Sequence, residues 1–236
     1  MKKIYHSADS RGYVDHGWLE ARHSFSFANY YDPERVHFGK LRVLNDDIVA
    51  PDMGFGTHPH NNMEIITIPL SGKLEHKDNM GNGSVITAGE VQVMSAGTGV
   101  MHSEFNPSST ESTNLLQIWI FPERKDVEPR YDQRKFNPEA FANTIKTVVN
   151  NSENDNSLFI HQKAVVSLSR AKAGLELDYI LHYPGHGVYV FLIEGKIGIE
   201  GSILLRRDAL GISAADHFTF KALQDSHVLF LEVPMN

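Results

Sequence analysis

The strongest constraint on this chain is an apolar–polar alternation that never runs for more than a few residues before a turn signal stops it. HSFSFANYY (23–31), EIITIPLSGKLEH (64–76), SVITAGEVQVMSAG (84–97), LLQIWIF (115–121), YVFLIEGKIGIEG (189–201) and HVLFLEV (227–233) all read this way. Each is rich in β-branched or aromatic residues and is bounded by Gly, Asn, Pro or Asp, the pattern of short half-buried strands. DNMGNGS (78–84) reads as a hairpin turn. Helical periodicity is scarce. NPEAFANTIKTVV (137–149) is the best helix, with Asn137 as cap and Pro138 at its first position. Many short strands joined by tight turns predict an all-β sandwich or barrel.

The strands also repeat. LSGKLEH (70–76) matches IEGKIGI (193–199) at an offset of 123, and VITAGEVQVMSAG (85–97) matches ILLRRDALGISAA (203–215) at an offset of 118. Val85, Ile86, Glu90, Ser95 and Ala96 fall opposite Ile203, Leu204, Asp208, Ser213 and Ala214. Two copies of one β-fold follow, over residues 1–134 and 135–236, and 236 residues suit that division. The polar stretch NNSENDNS (150–157) lies near the junction, or forms a turn inside the second copy.

Composition excludes several classes. A net charge of −7 disfavours a phosphate backbone as partner. The basic run RKDVEPRYDQRK (124–135) is interrupted by acids and reads as a solvated loop. With no cysteine there is no disulfide, thiolate zinc site or cysteine nucleophile. MKKIYHSADSRG has no apolar stretch behind its lysines, and the longest apolar runs, such as VYVFLI (188–193), are too short to cross a bilayer. A cytoplasmic monomer without membrane or nucleic-acid contacts is expected.

Chemistry concentrates in FGTHPHNNMEIIT (55–67). On a strand, residues two apart share a face, so His58 and His60 aim both rings at one place. Pro59 between them stiffens the segment. The same spacing recurs downstream in His102 and Glu104, after Gly97 and Gly99. Three neutral imidazoles and a carboxylate suit iron, nickel, cobalt, copper, manganese or zinc, and leave coordination positions open for water, substrate or dioxygen. Glu64 competes with Glu104 as the acidic ligand, because it shares parity with His58 and His60 if the strand is unbroken. Of 13 histidines, His76, His161, His182, His186, His217 and His227 lack comparable partners and read as surface or core residues. Phe25 and Phe27 read as core fillers, with the wall of a pocket as the alternative.

G-x-x-x-H-x-H-x-x-x-E followed by S-G (54–72), then the second block over 89–106, resembles the two cupin motifs. The spacing departs from the usual cupin pattern: the glycine before the histidines is nearer, the one after Glu64 is a residue later, Ser95 replaces a proline, and the gap from Gly97 to His102 is longer. Those departures, with HSFSFANYYDP (23–33), LRVLNDD (41–47), MSAGTGVMHSEFNPS (94–108) and QIWIFP (117–122), resemble the pirins, and among them bacterial members with quercetin 2,3-dioxygenase activity.

The resemblance implies a bicupin, two antiparallel jelly-roll barrels, with one metal held by His58, His60, His102 and Glu104. It resolves the acidic ligand toward Glu104 and leaves Glu64 as a supporting or core residue. It implies iron first, with nickel, cobalt, manganese, copper or zinc as alternatives. The implied reaction opens a flavonol such as quercetin with dioxygen, and Glu104 serves as catalytic base. The rival implication is a non-enzymatic regulator acting through protein partners; a zinc-dependent sugar isomerase is weaker still, since no sugar-binding signature supports it. By the repeat offsets, the ligand positions of the second copy fall on Leu181, Tyr183, Phe220 and Ala222, so that copy should hold no metal.

Overall fold

The structure, a computed structural model, describes residues 1–153 and 156–236. Residues 154 and 155 of the polar stretch near the junction lie outside the described residues. The first strands are β1 (Lys2–His6), β2 (Gly12–Asp15), β3 (Leu19–His23), β4 (Leu41–Val49), β5 (Gly54–His60) and β6 (Glu64–Ser71). Next come β7 (Lys73–Asp78), β8 (Gly83–Thr87), β9 (Glu90–Ser95), β10 (Val100–Phe105), β11 (Thr113–Ile120) and β12 (Arg130–Lys135). The later half holds β13 (Lys146–Asn150), β14 (Leu158–Phe159), β15 (Val165–Ala171), β16 (Glu176–Ile180) and β17 (His186–Glu194). It closes with β18 (Lys196–Ile199), β19 (Ser202–Leu205), β20 (Ala209–Ser213), β21 (His217–Ala222) and β22 (Ser226–Pro234).

The strands make two barrels. Each sets a seven-stranded sheet against a four-stranded one. In the first barrel the orders are β12-β9-β6-β11-β4-β3-β2 and β5-β10-β7-β8; in the second they are β1-β20-β17-β22-β15-β13-β14 and β16-β21-β18-β19. β1 thus leaves its own half and pairs with β20. The opposite end answers: the Lys40 amide donates to the Pro234 carbonyl. Among the described residues, no helix is long and apolar enough to cross a membrane.

The central strands are buried on both faces because both faces are covered. On β6, Ile66 and Ile68 join Leu116 and Ile118 of β11 in a core shared with Tyr189, Phe191, Leu229 and Leu231 of the other barrel. Ile65 points the other way, to a cluster inside the first barrel with Met94, Val100 and Trp119. The large sheets therefore pack back to back, and each barrel keeps its own interior. Phe25 fills the shared core beside Tyr189, ring centroids 5.3 Å apart. The repeat is visible in the turns: Gly72 and Gly195 both sit at positive φ, +76° and +97°, at the same hairpin position. A Cβ at Gly72 would meet Thr113 Oγ1 at 2.6 Å, so glycine is required there for space as well as conformation.

Three sequence expectations need correction. The helix over 137–149 is a single 3-10 turn, Pro138–Phe141, followed by β13. Asn137 does cap that turn, accepting from the Glu139 amide at 3.1 Å. The β-branched run Thr147, Val148, Val149 then pairs with β15, and tertiary pairing overrides the local helical pattern. HSFSFANYY leaves the sheet after His23, where Ala28 takes a positive φ of 49°. The supposed loop 124–135 ends in β12, an edge strand along β9 whose Tyr131 stacks on His76.

Candidate metal centre

β5 and β10 run antiparallel and set His58 opposite His102, with Val100 opposite His60. β5 is the edge of its sheet, where Pro59 removes no ladder bond that a neighbour needs. The register shift between the two strands falls on β5, where His58 and Phe55 are three residues apart opposite His102 and Glu104, which are two apart. β10 stays in regular register with β7, so His102 and Glu104 share its buried face. The ring centroids of His58, His60 and His102 lie 4.4–4.8 Å apart, and one nitrogen from each lies within 4.8 Å of the others.

The hydrogen bonds leave the right lone pairs. His58 Nδ1 lies 2.8 Å from the Gly56 carbonyl, which can only accept, so Nδ1 carries the hydrogen and Nε2 is free. His102 Nε2 is buried with no hydrogen-bond partner among the described residues. Burial pushes His60 down to about 4. It pushes His102 down to about 2, helped by the charges of His58 and His60. His60 and His102 are therefore neutral donors at physiological pH. A buried, unpartnered nitrogen among converging imidazoles is what a metal ion would satisfy, so the donor set fits.

Glu104 sits deeper. Its Oε2 accepts from Gln117 Nε2 at 2.9 Å. The Thr67 hydroxyl, 3.5 Å away, donates to Gln117 Oε1 at 2.9 Å. Burial raises Glu104 to about 7 against the opposing pull of those two side chains. A carboxylate oxygen of Glu104 falls within 4.8 Å of ligand atoms of His102 and His76. Glu64 does not converge on the histidines. The chain turns at Asn62, φ 48°, so β5 and β6 belong to different sheets and the parity argument fails. Glu64 instead accepts from Ser95 Oγ at 2.6 Å.

His76 is the residue the sequence reading passed over. It is fully buried; its Nε2 lies 3.1 Å from Asp78 Oδ2 and its Nδ1 3.4 Å from His102 Nδ1. The missed signal was His76-Lys77-Asp78, a third pair at the spacing of two already seen twice. Aromatic walls complete the surroundings. Trp119 meets His60 edge-on at 4.9 Å and Phe27 at 5.3 Å. Phe55 packs against Trp18 at 5.2 Å.

The second barrel repeats these pairings with other residues. Tyr179 lies opposite Phe218 and Leu177 opposite Phe220, while Phe220 also faces Ile199. Strand for strand, His58, His102, Glu104 and His76 correspond to Tyr179, Phe218, Phe220 and Ile199. This register differs by two residues from the one the repeat offsets give, because the bulge and loop lengths differ between copies; the positions still offer no metal ligand. His182 and His186 lie beside Glu232, with Nδ1 atoms 2.9 Å and 3.6 Å from its carboxylate.

Comparison with known proteins agrees with this architecture. Residues 5–120 match the Pirin family model and residues 147–233 the model of the quercetinase C-terminal cupin domain. A protein of Escherichia coli (strain K12) named quercetin 2,3-dioxygenase is 43% identical over 229 residues, 96% of either chain. A pirin-like protein of Caulobacter vibrioides is 39% identical over 95% of this chain and 96% of its own. The crystal structure of the bacterial pirin YhhW from Escherichia coli in complex with nickel(II) superposes with a TM-score of 0.93 at 40% identity, covering 99% of both chains. With identity sustained over both barrels, the chain belongs to the pirin family and has its bicupin fold.

Proposed function

We propose that this protein is a metal-dependent dioxygenase that opens a flavonol such as quercetin with dioxygen. His58, His60, His102 and Glu104 hold one divalent transition metal in the first barrel, within residues 1–134, and residues 135–236 form a metal-free partner. The observation that carries this reading is the convergence of three imidazoles on one point, with His102 Nε2 buried and without a hydrogen-bond partner among the described residues. The relative named quercetin 2,3-dioxygenase and the relative crystallised with nickel(II) support it. We take iron as the resident metal and nickel as its rival.

A bound metal supplies Lewis acidity that lowers the pKa of a coordinated hydroxyl. The protein supplies the rest. Glu104 takes the proton of the flavonol 3-hydroxyl, and Gln117 holds the carboxylate through Oε2 while it does so. Trp119, Phe55 and Trp18 offer flat apolar faces that orient an aromatic substrate and exclude water. The test is metal analysis of protein purified without a nickel column, paired with oxygen uptake on quercetin. Uptake that disappears on chelation and returns with metal supports the enzyme; metal without uptake overturns it in favour of a regulator.

A further inference from the structure

A metal-binding histidine works only if the hydrogen sits on its other nitrogen. For His58 a backbone carbonyl guarantees this. His102 has no such carbonyl: its Nδ1 faces another imidazole, Nδ1 of His76, at 3.4 Å. An N–H···N contact needs a hydrogen on one side and a lone pair on the other, so the two rings must hold complementary tautomers. The decision is made at the far end of His76, whose Nε2 lies 3.1 Å from Asp78 Oδ2. A carboxylate only accepts, so His76 keeps its hydrogen on Nε2 and turns a lone pair toward His102. His102 must then carry its hydrogen on Nδ1, which frees Nε2.

Both members are anchored. Asp78 Oδ1 accepts from the amides of Met80 and Asn82 at 2.9 Å and 3.0 Å, and Oδ2 accepts from the Asn82 side chain at 2.8 Å. The His76 ring stacks on Tyr131 at 4.6 Å and 27°, and Tyr131 is held by Ser84 and by Gln133. We infer that Asp78 and His76 form a positioning relay that sets the tautomer of His102 and so presents Nε2 to the metal. The inference rests on His102 being a ligand. It assigns a role to two residues that touch neither metal nor substrate, and outer partners of this kind typically change metal affinity about 10–100-fold when lost.

The test turns on Asp78→Asn. The variant keeps an oxygen toward the two amides and puts an NH2 group where Oδ2 was. That group donates to His76 Nε2, moves the His76 hydrogen to Nδ1, and drives the His102 hydrogen onto Nε2, where it blocks the metal. His76→Phe keeps a ring on Tyr131 without either nitrogen, and His76→Asn restores an acceptor near the Nδ1 position. Two readouts are used: nickel(II) affinity by chelator competition, and the ring 15N shifts of His102 in metal-free protein. We expect Asp78→Asn and His76→Phe to weaken nickel(II) binding roughly 10–100-fold. His76→Asn should recover part of the loss, and the His102 hydrogen should move from Nδ1 to Nε2 in Asp78→Asn alone. Wild-type affinity in both Asp78→Asn and His76→Phe, or a hydrogen already on Nε2 in the wild type, overturns the relay. His102→Ala separates the two claims: if it binds nickel(II) as the wild type does, the ligand assignment has failed; if it alone loses binding, only the relay has.

Discussion

The two barrels are built on one plan and filled with opposite materials. In the first, the interior pairings bring together Glu104, Gln117, Thr67 and Gln92. Along the matching strands of the second stand Phe220, Phe230, Val190 and Leu210. Where Glu104 and Gln117 share a hydrogen bond, Phe220 and Phe230 share a ring contact at 5.5 Å. Where His58 and His102 meet at 4.4 Å, Tyr179 and Phe218 stack at 5.1 Å and 6°. Flat rings of similar size occupy both places; what differs is whether they carry nitrogen. The first barrel accepts buried, partly unsatisfied polar groups, at a known cost to stability, and gains a reactive centre. At the matching positions the second carries apolar and aromatic side chains, which make an apolar core.

The sharpest way to break this contrast is to remove imidazoles. His58→Ala, His60→Ala and His102→Ala should each weaken nickel(II) by more than the roughly 10–100-fold of an outer-partner loss. Phe218→Ala in the second barrel should leave about one metal per chain, and metal analysis of loaded, folded protein checks both. Next in size is Glu104→Gln. Normalised to bound metal, quercetin-dependent oxygen uptake should fall about 10²–10⁴-fold, as for loss of a general base. The deficit should shrink as pH rises, because a flavonol that has already shed its hydroxyl proton needs no base. Equal rates per metal at every pH would leave Glu104 a ligand without that role.

Third, Phe220→Ala should lower unfolding stability by about 3–5 kcal/mol in a urea titration, the usual cost of emptying an aromatic core position, with metal stoichiometry unchanged. Metal loss in this variant would mean that the barrels are not chemically independent. The smallest effect concerns acid. In the metal-free chain, His60 and His102 have pKa values lowered below that of an unfolded histidine. The unfolded state therefore binds more protons below about pH 6.5, and the stability these residues contribute, present above that pH, is lost as pH falls toward 4. His182 runs the other way: the hydrogen bond to Glu232 raises its pKa, so its contribution is full at low pH and lost as pH rises through the raised value. Both tryptophans, Trp18 and Trp119, belong to the first barrel. Between pH 7 and 5, melting followed by their fluorescence should drop by on the order of 1 kcal/mol, roughly 2–4 °C, with metal removing most of the drop.

Much of this was legible in the chain. The β alternation, the hairpin turn at DNMGNGS (78–84) and the repeat are local patterns, and local patterns survive in sequence. The pairs His58/His60 and His102/Glu104 were legible because strand geometry converts a spacing of two into a shared face. What was hidden depends on contacts distant in sequence. Gln117 is ordinary until β11 places it over Glu104. His76 looked solitary because its partner His102 is 26 residues away across a sheet. The strand at 146–150 was read as helix because its pairing with β15 has no local signature.

The exchange of ends between barrels has a consequence for how the molecule is made. β1 ends at His6, yet its partner β20 begins at Ala209. At about 5–20 residues per second, some 10–40 s pass before that partner exists. For that time β1 is an unpaired strand on a nascent chain, open to pairing with another copy. It opens with Lys2 and Lys3. Lysines on an exposed edge discourage unwanted strand pairing, so the charge guards β1 in this interval as well as at the sheet edge it later occupies.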